Sequence, residues 1–145
     1  MKVSNLVVKG ENIRDIIDIL YNYRNEYYYN KPHVYSSENI AVLMRESFYA
    51  RTWSTLMSVI ILKFTDYNEA EIEVVISGGK GGTLLHDWGA ENRENIKIVH
   101  EIVNACEGNS WELISIQPEI LKESLTKSTT NKFKNRILNS LKKWM

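Results

Sequence analysis

The residues best suited to chemistry lie in one stretch, Glu71 to Gly89, which reads EIEVVISGGKGGTLLHDWG. It holds five of the chain's seven glycines: Gly78, Gly79, Gly81, Gly82 and Gly89. Backbone N–H groups in a glycine-rich turn can cradle an anion, and Lys80 would add charge. The spacing matches neither nucleotide signature. No Lys-Ser or Lys-Thr pair follows the right glycines for G-x-x-x-x-G-K-[ST]. Gly79-x-Gly81 is followed at the third place by Leu84, so G-x-G-x-x-G fails too. Glu91 and Glu94, in the first turn of the next expected helix, would repel a phosphate there. The candidate ligand-binding set is therefore Arg51, Gly78, Gly79, Lys80, Gly81, Gly82, His86, Asp87 and Trp88. The competing reading is a plain turn or bulge between strand and helix, which is glycine's commonest use.

Other chemistries find less. His86 and Asp87 are neighbours, but adjacent residues of an extended segment point to opposite faces, so neither orients the other. No G-x-S-x-G occurs. Three scattered histidines (His33, His86, His100) and one cysteine give no metal-ligand spacing. Cys106, expected at a helix C-terminus, would have its thiolate disfavoured by the helix dipole and reads as a small buried apolar residue. No cofactor and no metal is implied.

The elements that must position these residues follow from periodicity. Residues 2–8 alternate as a short strand. Ile13, Ile16, Ile17 and Leu20 recur at helical spacing, predicting an amphipathic helix over about 11–25. Tyr27, Tyr28, Tyr29 and Tyr35 surround Pro32 in an extended or looping connection. Their rings cover the edge of the core or form an aromatic binding surface. From Ile40 to Tyr49 the pattern has period two, with Ala41, Leu43, Arg45, Ser47 and Tyr49 sharing a face. A helix capped by Ser37 and running to Met44 is the alternative there. Residues 54–64 are apolar on both faces and rich in β-branched side chains, predicting a central strand covered on both sides.

Asp66 to Glu69 is a turn. Ala70, Ile72, Val74 and Ile76 then face in while Glu69, Glu71 and Glu73 face out, a solvated face that would guard a sheet edge. Trp88 would plug that edge, and Asp87 would cap the following helix or bind loop amides. A second helix spans about 91–106, on the stripe Ile96, Val99, Val103 and Cys106 with Ile98 and Ile102 beside it, and ends at Gly108. Trp111 to Ile116 is a further strand, stopped by Pro118. Residues 119–126 suit a short helix. Phe133, Ile137, Leu141 and Trp144 stripe a last, basic helix over about 128–144. The expected fold is one α+β domain over residues 1–145, of order β-α-β-β-β-α-β-α. Its core is an antiparallel meander covered by helices.

Composition bounds the rest. At 145 residues, with 25% charged and 43% hydrophobic residues, the chain suits one globular domain. No apolar run approaches the roughly 20 residues of a bilayer span, and no signal-peptide core is seen near Leu6. A single cysteine fits a reducing compartment, so the cytoplasm is the default location. Net charge is zero, but residues 1–121 carry 11 − 17 = −6 and residues 122–145 carry 7 − 1 = +6. Such a tail either seeks an anionic partner or lies on the acidic body. Four large apolar side chains at helical spacing favour the docked tail and weigh against nucleic-acid binding.

The run Ser47 to Gly89, with its aromatic-x-Arg element and its double glycine ahead of Asp-Trp-Gly, resembles a small family of uncharacterised prokaryotic proteins. The resemblance covers about a third of the chain and leaves out the basic tail. It implies no activity, and groups Arg51, Gly78, Gly79, Asp87, Trp88 and Gly89 as one shared feature. With no assembled nucleophile, metal cluster or cofactor loop, the leading expectation is a non-catalytic binding or regulatory protein. Its partner would be another protein, and an immunity-type inhibitor is one form of this. The alternative is a small-ligand or anion binder, or an enzyme, that converges Lys80, His86, Asp87 and Arg51.

Overall fold

A computed structural model describes residues 1–23, 31–49, 53–78 and 89–127. Strands β1 (Lys2–Lys9), β2 (His33–Ser36), β3 (Ile40–Tyr49), β4 (Ser54–Asp66), β5 (Glu69–Gly78) and β6 (Glu112–Gln117) form one sheet. Its order is β2-β3-β4-β5-β1-β6, antiparallel throughout. Helices α1 (Ile16–Asn22), entered through a 3-10 turn at Ile13–Asp15, and α2 (Ala90–Asn109) pack on it. Residues 120–127 are also helical. This is the α+β antiparallel sheet expected, with the β3-β4-β5 meander at its centre.

Period two was the stronger signal at Ile40–Tyr49, which is a strand and not a capped helix. One strand more than expected is present. β2 occupies the connection around Tyr35 and pairs with β3 from His33↔Met44 to Ser36↔Ala41. The first helix is shorter than its periodicity suggested, because Asn12 takes a left-handed conformation (φ 56°) and the 3-10 turn intervenes. The second helix runs past Gly108. Ser110 (φ 57°) supplies the left-handed cap instead, with its N–H donating to Cys106 O.

The inner face of the sheet carries the core. Leu6 and Val8 of β1, Ala41 and Leu43 of β3, Leu56, Ile60, Leu62 and Phe64 of β4, and Ala70, Ile72, Val74 and Ile76 of β5 are buried. Ile13, Ile16 and Leu20 close it from one side, and Ile98, Val99, Ile102 and Cys106 from above. Among the described residues, the cover over β4 lies on its inner side. Thr55, Met57 and Lys63 face out exposed, and Val59 and Ile61 are half-buried. The described helices lie on the inner face, so the apolar outer residues of β4 have no second layer among the described residues. The carboxylates of β5 do not guard an edge either. β5 runs between β4 and β1, and the edges are β2 and β6.

Gly10 marks the tightest approach. A Cβ there would lie 2.2 Å from Trp111 Cδ1. Trp111 is buried, and its indole N–H donates to Glu11 O at 2.7 Å, locking the end of β1 to the entry of β6. Overpacking of this kind costs about 1–3 kcal/mol. Gly10→Ala is expected to lower Tm by roughly 3–10 °C in a calorimetric scan, from the usual entropy of unfolding for this size. An unchanged Tm would show that the approach does not constrain the fold.

Candidate functional site

Polar groups gather at the end of the inner face where β3 finishes and β5 reaches Gly78. Alternation along β3 sends Arg45 and Ser47 to the same face as Ala41 and Leu43, and both are buried. Above them α2 turns Glu91, Glu94, Asn95 and Glu101 towards the sheet, also buried. These positions recur at three, four and seven residues, which is one side of a helix.

Arg45 and Glu101 form a two-pronged ion pair. Nη1 donates to Oε2 at 2.9 Å and Nη2 to Oε1 at 2.6 Å. Nη2 also donates to the carbonyl of Leu20, in the last turn of α1. Burial pushes the Glu101 carboxyl above its ordinary value, and the Arg45 hydrogen bond and charge pull against that shift. Glu94 accepts from Ser47 Oγ at 3.1 Å, from the Tyr49 hydroxyl, and from Lys97 Nζ at 3.4 Å. Asn95 Nδ2 donates to Ser4 Oγ at 2.6 Å, tying α2 to β1. Glu91 accepts the Gly78 N–H at 3.2 Å and meets the amino group of Met1.

A hydroxyl beside a carboxylate, as in Ser47 and Glu94, is the pairing that a nucleophile needs. Here Ser47 and Glu94 are both buried. The carboxylates accept bonds from two strands, β3 and β5, and from the N-terminus, and with Asn95, bonded to Ser4 on β1, they join α2 to the sheet. Among the described residues no group of three or more His, Cys, Asp or Glu is placed to hold a metal ion. Cys106 is buried, and burial first and Glu107 second push its thiol up to about 11. It behaves as the small core residue expected.

Of the sequence-predicted site, Gly78 is the one member among the described residues. Its φ of 105° suits glycine, and a Cβ would sit 2.9 Å from Thr55 O. Arg51, Gly79, Lys80, Gly81, Gly82, His86, Asp87 and Trp88 lie outside the described residues, as do Tyr27 to Tyr29 and the basic segment 128–144. Gly89 (φ 76°) holds the N-cap position of α2. Glu91 and Glu94, which sequence reading set against a phosphate at that helix end, turn inward and are buried. The buried polar cluster itself was missed. Its one sequence signal was Arg45 and Ser47 continuing the apolar phase of β3.

A second surface is the outer face of the sheet. Register places Met44, Val59, Val75 and Val3 in one row across four strands, with Val42 and Ile61 in the next. Val3 is 41% exposed, Ile40 40%, Met57 44% and Tyr35 59%. Two depressions mark it. One of about 300 Å³ is lined by Lys31, His33, Met44, Glu46 and Met57. The other, about 210 Å³, crosses β1, β5 and β4 and includes Asn5, Val7, Ile61, Lys63, Glu71 and Glu73. No helix among the described residues is long and apolar enough to cross a membrane. No family model, no curated protein and no solved structure matches this chain.

The bonding pattern separates two buried serines. Ser58 Oγ is buried without a hydrogen-bond partner, whereas Ser47 Oγ serves Glu94. Unsatisfied buried hydroxyls cost about 1–3 kcal/mol, and hydrogen bonds to charged groups contribute about 1.5–3. Urea unfolding is expected to show Ser58→Ala neutral or stabilising by about 1 kcal/mol and Ser47→Ala destabilising by about 1–3. Equal losses at both sites would contradict the assignment.

Proposed function

We propose that this chain is a non-catalytic binding domain that meets a protein partner through the outer face of its sheet. The observation that carries the reading is the row of apolar side chains across four strands with no covering layer among the described residues. Exposed contiguous apolar surface of this kind marks interaction sites in soluble proteins. Met44 and Met57 line one depression, and flexible, polarisable methionine adapts to a partner's shape. Tyr35, from the segment that sequence reading offered as an aromatic binding surface, and the carboxylates Glu71 and Glu73 lie on this face. The buried carboxylates of α2 support the same reading, because their bonds hold the two layers together and leave no group presented to a substrate. An immunity-type inhibitor remains one form of such a protein. The ligand-site alternative rests on Arg51, Lys80, His86 and Asp87, outside the described residues.

The double variant Met57→Glu/Val59→Glu tests the face, and both side chains reach solvent, so little loss of stability is expected. Capture from native lysate, followed by titration with the purified captured protein, is expected to show binding at least tenfold weaker for the variant at unchanged Tm. A captured protein that binds both forms equally would contradict the assignment, as would no capture at all.

A further inference from the structure

We infer that the resident occupant of the outer face, in the smaller depression across β1, β5 and β4, is the chain's own basic segment, residues 131–145. The inference rests on the reading of that face as a docking surface and names what docks there first.

The location favours it. The described chain ends at Lys127, after a helical stretch whose Leu121 is buried in the core next to the edge strand β6. β6 borders β1, and the depression begins on β1. Residues 128–132 span up to about 17 Å when extended, enough to round a sheet edge onto the other face. The stripe Phe133, Ile137, Leu141 and Trp144 would cover about 17 Å as a helix. The depression itself crosses three strands, and the neighbouring apolar row Met44, Val59, Val75 and Val3 extends the surface beside it over about 14 Å at ordinary strand spacing.

Charge favours it as well. Residues 128–145 carry Lys132, Lys134, Arg136, Lys142 and Lys143 and no acidic side chain. The depression carries Glu71 and Glu73 against Lys63, and Lys63 already pairs with Glu71 at 3.7 Å. A second copy of the same face would bring Glu71 and Glu73 towards their equivalents. The tail brings cations, and its tether gives it a millimolar effective concentration. An outside partner must then displace the tail, so the tail sets a threshold for binding.

Zero-length carbodiimide cross-linking of the full chain tests this, using an equal mixture of unlabelled and nitrogen-15-labelled protein. The Lys63–Glu71 link serves as the internal control. Expected are links from Lys132, Lys134, Lys142 or Lys143 to Glu71 or Glu73, at least tenfold more abundant in same-isotope than in mixed-isotope pairs. Ile137→Asp/Leu141→Asp should reduce them at least tenfold with the control unchanged. Mixed-isotope links as abundant as same-isotope links would assign the face to a second copy and overturn the inference. Links to inner-side acids such as Asp18 or Glu107, or no tail links beside a strong control, would overturn it too. Loss of partner capture in Met57→Glu/Val59→Glu does not depend on these links, so the docking surface and its resident occupant fail separately.

Discussion

The contact on which the rest depends is Arg45 with Glu101. A guanidinium and a carboxylate are both withdrawn from water, which costs several kcal/mol per ion before any attraction is counted. The fork geometry offsets that cost, with two parallel bonds to one carboxylate. The same guanidinium reaches the Leu20 carbonyl, one of the groups a helix end leaves unsatisfied. α1 has seven residues, too few to persist alone in water. One side chain on β3 therefore fixes both helices above the sheet. Removing either charge would strand the other in the core.

That arrangement explains why the buried acids are structural and why neither described helix covers the outer face. Glu91, Glu94, Asn95 and Glu101 bind partners on β5, β3 and β1, so α2 is held at several points along its length. The helices commit to this face, where Leu43, Ile60, Val74 and Leu6 also lie. Outward residues of the same strands, among them Val42, Val59, Ile61 and Val75, gain no equal cover from the described residues. The asymmetry puts the polar chemistry inside and the apolar surface outside. For a binding domain that division is coherent: the inside sets rigidity and the outside sets recognition.

Much of the fold was legible because period-two alternation is a strong local signal. It placed β3, β4 and β5, their order and the inward set of β5. What it could not show is whether a strand that is apolar on both faces has two layers over it. Val59 and Ile61 carry no mark that says so. The buried cluster was hidden for a similar reason. Glu94 and Glu101 look like solvent residues until Arg45, Ser47 and Tyr49, about fifty residues away, are seen beneath them. The phase of α2 was misjudged by about one residue, because its apolar stripe was drawn through Ile96 and Val103. Both are only partly buried, while Ile98 and Ala105 are buried. β2 escaped because four residues around Tyr35 are too few for a pattern.

The most direct test of this dependence is a double-mutant cycle on Arg45→Met and Glu101→Leu, followed by urea unfolding. Each single change is expected to cost about 3–5 kcal/mol, because a buried charge is left alone. The double variant, with both charges gone, should recover much of that loss, for a coupling of about 2 kcal/mol or more. Losses that simply add, with no coupling, would show that the pair does not hold the layers together and would contradict this explanation of the fold.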